Sequence, residues 1–168
     1  MKRIAGFEKV SLQQFISAYK DDFCGDDDGI RKIYDSIKLP RRATAGSAGY
    51  DFYTPVDIKL EPGQTVKIPT GIRARMDSDW VLMIFPRSGL GFKYRLQLNN
   101  TVGVIDSDYY HSDNEGHIFI KITNDSNEGK IVEVAAGGGF AQGIFMPYGI
   151  TEDDDVTDAR NGGFGSTG

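Results

Sequence analysis

The chain has 168 residues, a common size for one globular domain, and a formal net charge of −5. This acidic balance argues against a protein that binds nucleic acid by neutralising phosphates. No apolar run approaches the roughly 18 residues that a membrane-spanning helix needs, and the single cysteine, Cys24, cannot form an intrachain disulfide. We therefore expect a soluble, cytoplasmic protein with no membrane or direct nucleic-acid partner.

Residues 8–39 have the pattern of two short helices. Ser11-Leu12-Gln13-Gln14 fits a capping box, and the apolar residues after it recur at helical spacing to about Phe23. Asp26-Asp27-Asp28-Gly29 is interpreted as an exposed turn, after which the helical spacing resumes and stops before Pro40. We predict a helical hairpin that packs on the main body of the protein.

From Tyr50 onward, short runs of β-branched and aromatic residues are separated by turn residues. Several short strands at this spacing predict an all-β protein, an antiparallel sandwich or jelly roll, and not a βαβ fold. The predicted strands cover residues 50–53, 65–68, 72–76, 80–85, 118–122, 130–134 and 144–148.

Two segments at strand ends carry groups suited to chemistry. Pro86-Arg87-Ser88-Gly89-Leu90-Gly91 offers a guanidinium, a hydroxyl and glycines that let backbone N–H groups approach phosphate oxygens, although a plain turn has the same composition. Gly103-Val104-Ile105-Asp106-Ser107-Asp108-Tyr109 places a carboxylate after two apolar residues. Asp106 can accept a proton from water, and the structural alternative is an Asx turn that caps the strand.

Two further features favour a nucleotide ligand. The Asn100 amide has the donor and acceptor that a pyrimidine edge requires, but a structural asparagine in a turn is the alternative. The C-terminal run from Arg160 to Gly168 combines an arginine, hydroxyls and glycines, which suit phosphate, with Phe164, which could stack on a base. This run cannot fold alone, so it is either a disordered end or an arm that orders on a ligand.

Taken together and in order, five segments resemble the five motifs of the trimeric deoxyuridine triphosphatase (dUTPase) family. The five segments are Ala48-Gly49-Tyr50-Asp51, Pro86-Arg87-Ser88-Gly89-Leu90, Gly103-Val104-Ile105-Asp106-Ser107-Asp108-Tyr109, Phe140-Ala141-Gln142-Gly143 and Arg160 to Gly168. The resemblance covers about residues 40–168. The stretch from Asp108 to Phe119 is similar to the version found in Gram-positive bacteria and their phages.

This resemblance implies a dUTPase-like jelly roll, a distorted β-barrel, that forms a homotrimer with active sites shared between subunits. The enzyme would hydrolyse dUTP to dUMP and pyrophosphate, limiting uracil incorporation into DNA and supplying dUMP for dTMP synthesis. Residues 1–158 would form one domain containing the helical insertion at about 8–39. Residues 159–168 would be a flexible arm that closes the active site.

The resemblance also implies a role for each matching residue. Asp106 would activate the water that attacks the α-phosphorus. Asn100 and the Gly103 backbone would bind uracil, Tyr109 would pack beneath the deoxyribose, and Asp51 would place Mg²⁺ through its water shell. The remaining substrate-binding residues would be Arg87, Ser88, Gly89 and Gln142 for the phosphates, and Arg160, Phe164, Gly165, Ser166 and Thr167 in the arm.

The chain departs from the family pattern in three places, one of which is a tail about one residue shorter between Arg160 and Gly162 than in many relatives. Gly137-Gly138-Gly139 stands where the family usually has a glycine, an acidic residue and an arginine, so a charged pair is missing beside Gln142. Residues 8–39 have no role in the family, which leaves open a phage-type homologue that binds nucleotide to control a partner protein through this insertion. A dCTP deaminase shares the fold, but the third motif and Phe164 favour the hydrolase.

Overall fold

The computed structural model describes residues 2–158, which form twelve strands, three α-helices and one 3-10 helix. The strands are β1 (Ala5–Lys9), β2 (Arg41–Arg42), β3 (Tyr50–Tyr53), β4 (Ile58–Leu60), β5 (Thr65–Pro69), β6 (Ile72–Met76), β7 (Trp80–Pro86), β8 (Leu96–Leu98), β9 (Gly103–Ile105), β10 (Phe119–Asn124), β11 (Val132–Val134) and β12 (Gly139–Pro147). The helices are α1 (Leu12–Asp22), α2 (Asp27–Ser36), α3 (Ser88–Tyr94) and the 3-10 helix Ser107–His111.

The strands of the described part of the chain pair antiparallel throughout and form four sheets. The largest has the order β2-β3-β12-β7-β9, and the others are β5-β10-β8, β1-β6 and β11-β4. Alternation along the strands builds the core: Ile120 and Ile122 of β10 are buried, while Lys121 between them is exposed. One buried cluster contains side chains from all four sheets, as the predicted jelly roll requires.

The predicted helical hairpin, formed by α1 and α2, packs on this body. Phe15, Ala18 and Tyr19 recur at helical spacing and are buried, as is Ile30 of α2. The hairpin therefore contributes to the core of the domain and does not stand apart from it. Within residues 2–158, no helix is long and apolar enough to cross a membrane.

The structure corrects the predicted limits of this segment. Glu8 begins the segment in our prediction, but it lies in β1 and pairs with Arg73 of β6. The predicted turn at 26–29 is instead the start of α2, because Asp26 Oδ1 accepts a hydrogen bond from Gly29 N at 2.7 Å and so caps the helix.

Other differences lie in short or glycine-containing elements. The predicted strands did not include β1, β2, β4 or β8, and the strand expected to end before Asp106 was given no bounds. Strands of two or three residues, such as β2, β4 and β8, show too little alternation to be recognised, and β1 is half-buried along its whole length. The last strand begins at Gly139, five residues before the predicted start, because Gly143 can pack in the core. A Cβ on Gly143 would lie 2.8 Å from Leu82 Cδ1.

Candidate active site

Three strands bring Asp51, Gln142 and Arg87 together on one face of the five-stranded sheet. Asp51 of β3 is the register partner of Gln142 on β12, and Gln142 is the partner of Phe85 on β7. Arg87 follows the end of β7, and its Nε lies 3.1 Å from Asp51 Oδ1. Gln142 Nε2 donates to the carbonyl oxygen of Pro86 at 3.1 Å. Predicted residues from three separate motifs thus form one polar cluster.

Glycines make room for this cluster. A Cβ on Gly49 would lie 2.6 Å from Gln142 Oε1, and a Cβ on Gly139 would lie 2.9 Å from Arg87 Nη1. The Gln142 amide occupies the space that a side chain at position 49 would need, and the Arg87 guanidinium occupies the space that a side chain at position 139 would need. In the absence of the charged pair that is usual in the family, the backbone of Pro86 supports Gln142.

Arg87 is also the residue before α3, so the second motif is the start of a short helix and not a plain turn. Leu90 N and Gly91 N both donate to Arg87 O, at 3.0 and 2.9 Å. The first N–H groups of a helix have no acceptor within the helix, so those of Ser88 and Gly89 are suited to an anion. Both residues are exposed, and a Cβ on Gly89 would have no atom within 4 Å.

A second site is a cavity of about 470 Å³ next to the turn between β8 and β9. The tight turn has Thr101 in the left-handed region at φ 66°, and Val102 N donates to Asn100 O at 2.7 Å. Asn100 and Gly103 line the cavity together with Asn99 and Asn114, which our sequence analysis had not selected. Amide groups in a mostly apolar cavity suit a small planar ligand with hydrogen-bonding edges.

Asp106 lies where β9 ends and the 3-10 helix begins. Its side chain accepts no capping hydrogen bond from that helix, and its backbone oxygen accepts from Tyr109 N at 3.2 Å. This geometry does not support the Asx-turn alternative. Ile105, the residue before it, is buried and lines the cavity, so Asp106 follows a cavity-lining residue directly in the chain.

Tyr109 is buried and lies behind the cavity wall. Its hydroxyl donates to His117 O at 2.8 Å and accepts from Asn114 Nδ2 at 2.8 Å. Asn114 lines the cavity, whereas Tyr109 does not. The Asn114-Glu115-Gly116 turn was the signal that sequence analysis could have used, since asparagine side chains bond to their own turn and glycine accepts left-handed backbone.

The two sites face opposite sides of the five-stranded sheet. Register partners point to the same face, so Gln142 and Phe85 share one face, whereas Ile84, Gly103 and the cavity belong to the other. Ile105 pairs with Leu82, and Arg87 is five residues further along the chain, about 17 Å away at ~3.3 Å per residue. One copy of the chain therefore does not bring Asp106 to Arg87.

The predicted arm residues Arg160, Phe164, Gly165, Ser166 and Thr167 lie outside the described residues. Among residues 2–158, no group of three His, Cys, Asp or Glu side chains could hold a metal ion. Asp51 is a single carboxylate, which fits an Mg²⁺ ion carried mainly by water and substrate phosphates.

Comparison with known proteins identifies the family. A model described as dUTPase matches residues 35–168. The deoxyuridine 5'-triphosphate nucleotidohydrolase of Lactococcus lactis subsp. lactis is 42% identical over 135 residues, which cover 79% of this chain and 89% of that protein. That of Escherichia coli O9:H4 is 39% identical over 145 residues, covering 82% and 91%.

Solved structures agree with this result. The crystal structure of the dUTPase from Streptococcus mutans superimposes with a TM-score of 0.64 at 35% identity, covering 88% of this chain and 98% of that chain. The dUTPase from phage phi11 of S. aureus shares the fold, with a TM-score of 0.58 at 23% identity, covering 72% and 90%. The chain belongs to the dUTPase family, the enzymes that hydrolyse deoxyuridine triphosphate.

Proposed function

We propose that this chain hydrolyses dUTP to dUMP and pyrophosphate in a homotrimer whose active sites combine residues of different copies. The observation that carries this proposal is the division of the polar groups. The Asp51–Arg87 ion pair lies on one sheet face, and the amide-lined cavity lies on the other. Since one nucleotide must reach both, a second copy would supply the missing half.

In this proposal the phosphates bind at the first cluster. Arg87 would make paired hydrogen bonds to phosphate oxygens, and the N–H groups of Ser88 and Gly89 would bind the same chain of phosphates. Gln142 would donate from its amide. Asp51 would hold Mg²⁺ through water, and the ion would supply charge neutralisation on the phosphate oxygens.

The base and the attacking water would lie at the cavity of another copy. Asn100 and the Gly103 backbone would bind the uracil edge, and Tyr109 would support the sugar side of the cavity. Asp106 would accept a proton from the water that attacks the α-phosphorus, a role typically worth about 10²–10⁴ in rate. The arm would then close, with Phe164 on the base.

An exposed apolar face supports the trimer. Val104 of β9 pairs with Met83 of β7, which pairs with Ile144 of β12, so the three side chains form a row on the outer face of the sheet. Val104 is 54% exposed, and Met146 on the same strand face as Ile144 is 46% exposed. Contiguous apolar surface of this kind is typical of a protein–protein interface. It is continuous with the face that carries Gln142.

The decisive experiment is to incubate the purified protein with dUTP and Mg²⁺ and to assay pyrophosphate. We expect turnover by the wild type and its loss in Asp106→Asn, by a factor of at least about 10². Asp113→Asn, an exposed aspartate seven residues further along, is the matched control and should retain activity. No pyrophosphate from the wild type would refute the enzyme proposal. Equal turnover by Asp106→Asn would refute its role as the base.

A further inference from the structure

The helical hairpin contacts the segment between Asp106 and Ile118, which we call the 107–117 loop. We propose that the hairpin is a positioning element: it fixes this loop and, through the loop, the Asn114 amide in the cavity wall. The inference rests on the proposed function only in taking the cavity as the nucleoside pocket. It gives the insertion a role in substrate binding within the chain itself.

The first contact joins the N-terminus of α1 to the loop. Glu115 Oε2 accepts from Ser11 N at 2.7 Å, and Glu115 Oε1 accepts from Ser11 Oγ at 2.6 Å. In a capping box the side chain at position 14 would accept from Ser11 N, but here a residue 104 positions away does so. These hydrogen bonds lower the pKa of Glu115, so its carboxylate stays ionised at neutral pH.

This contact offsets an unfavourable backbone conformation in the loop. Glu115 has a φ of 60°, in the left-handed region that a residue with a Cβ avoids. Gly116 follows at φ 71°, and a Cβ there would lie 2.7 Å from Tyr110 Cα, so the loop passes closely over itself. A tight, left-handed turn of this kind needs outside contacts to hold it, and Ser11 provides two.

The second contact is apolar and lies at the end of the loop. Phe15 of α1 is fully buried, with its ring 6.3 Å from that of His117. His117 Nε2 accepts from Gly71 N at 2.8 Å. A Cβ on Gly71 would collide with Ile37, the residue after α2, and would lie 3.2 Å from Phe15 Cδ2. Both ends of the hairpin therefore pack against the groups that anchor His117.

From these anchors the path to the cavity is short. Asn114, the residue before Glu115, lines the cavity. Its Nδ2 donates to the Tyr109 hydroxyl at 2.8 Å, and its Oδ1 accepts from Gly116 N at 3.2 Å. Tyr109 in turn donates to His117 O at 2.8 Å. The amide is thus bonded to Tyr109, which donates to His117, and to Gly116, which follows Glu115. The hairpin contacts both His117 and Glu115, so loosening either contact frees the amide to rotate away from a ligand.

The test uses the full-length protein and two pairs of variants. Glu115→Ala removes the contact but leaves Ser11 capping Gln14 N, and its matched control is Glu133→Ala, an exposed glutamate paired with Lys59. Ser11→Ala has the control Ser36→Ala, a serine at the end of α2. Ser11→Thr keeps both the N–H and a hydroxyl, so it should behave as the wild type. Glu115→Gln is a milder second variant in case Glu115→Ala does not fold.

Two measurements decide the outcome. Amide hydrogen exchange in residues 107–117 of the nucleotide-free protein should be about tenfold faster in Ser11→Ala, which loses one charge-assisted hydrogen bond to Glu115. It should be at least about tenfold faster in Glu115→Ala, which loses both hydrogen bonds. The Kd for dUMP by calorimetry and the KM for dUTP should rise about tenfold, with kcat within about twofold. Both controls and Ser11→Thr should leave all of these values unchanged.

Unchanged exchange in the loop would overturn the proposal. Faster exchange with unchanged dUMP affinity would also overturn it, because the hairpin would then stabilise the loop without positioning the amide. A wild-type protein that binds no dUMP and hydrolyses no dUTP would refute the proposed function, and the exchange result would then decide alone whether the hairpin fixes the loop.

Discussion

His117 shows how one buried side chain connects the helical hairpin to the main body. It is fully buried, and the N–H of Gly71 donates to its Nε2. The ring is therefore neutral, with its proton assigned to Nδ1, and this atom has no hydrogen-bond partner among the described residues. Burial lowers the pKa of His117 to about 4 from 6.5.

This pKa predicts acid sensitivity of the fold. Because the folded pKa lies below the unfolded value, the unfolded chain takes up a proton as the pH falls through 6.5 and the folded chain does not. The free energy of unfolding should fall by up to about 3 kcal/mol between pH 6.5 and 4 from this residue, with no contribution to pH dependence above 6.5. Urea unfolding at pH 7, 5.5 and 4.5 measures this decrease in the free energy of unfolding.

The comparison variant is His117→Gln, whose amide oxygen can still accept from Gly71 N. Its stability should fall less steeply over the same pH range. The same slope in both proteins would show that other groups cause the acid sensitivity.

Gly49 provides a second prediction at this scale. Gly49→Ala would place a Cβ 2.6 Å from Gln142 Oε1, forcing the amide away from the Pro86 carbonyl. We expect kcat/KM for dUTP to fall about tenfold, the equivalent of one lost hydrogen bond. Gly46→Ala is the matched control, because a Cβ there would have no atom within 4 Å. Steady-state kinetics measure kcat/KM for both variants, and an equal loss of kcat/KM in Gly46→Ala and Gly49→Ala would contradict the steric explanation.

At the scale of elements, β12 links the core to the site. Gly143 faces the core, while Gln142 and Ile144, its neighbours in sequence, point to the outer face. One strand therefore presents the Gln142 amide, proposed to bind phosphate, beside Ile144 of the proposed interface. A one-residue slip in the register of β12 would turn the Gln142 amide into the core and remove Ile144 from the outer face.

The C-terminal arm can be tested as an element by truncation after Asp158. The shortened chain retains all of the described residues, so we expect its oligomeric state to remain that of the full-length protein. Turnover of dUTP should be lost, because an arm that excludes water and supplies phosphate donors would be missing. Light scattering and the pyrophosphate assay measure these two properties. Full activity of the truncated protein would refute the closing role.

At the scale of the whole molecule, the shared-site proposal predicts that assembly and activity are lost together. Val104→Lys places a charge in the exposed apolar row, where desolvation in an interface is costly. We expect a monomer with activity reduced at least about 10²-fold, because neither half-site is complete. Ile131→Lys, at an exposed apolar position beside β11, should leave the oligomer intact. A fully active Val104→Lys monomer would show that a single copy suffices.

The jelly roll and its motif residues were predictable because alternation, turn composition and motif order are properties of neighbouring residues. Ser11 was recognised as a helix cap from a local pattern alone, whereas Gln142 was selected because Phe140-Ala141-Gln142-Gly143 resembles a family motif. The partner of that cap was not predictable, since Glu115 reaches Ser11 only after the loop has folded against the hairpin. Short strands such as β4 and β8 were missed because three residues carry almost no periodic signal.

By itself, the sequence determined the family, the residue types available for chemistry and the existence of a helical hairpin near the N-terminus. Only the tertiary structure decided that Arg87 contacts Asp51, that the hairpin contacts the loop bearing Asn114, and that the Asp51–Arg87 pair and the amide-lined cavity face opposite sides of one sheet. The reason is physical: hydrogen bonds within a turn or helix are set by nearby residues. The face on which a side chain lies depends instead on strand register between distant segments.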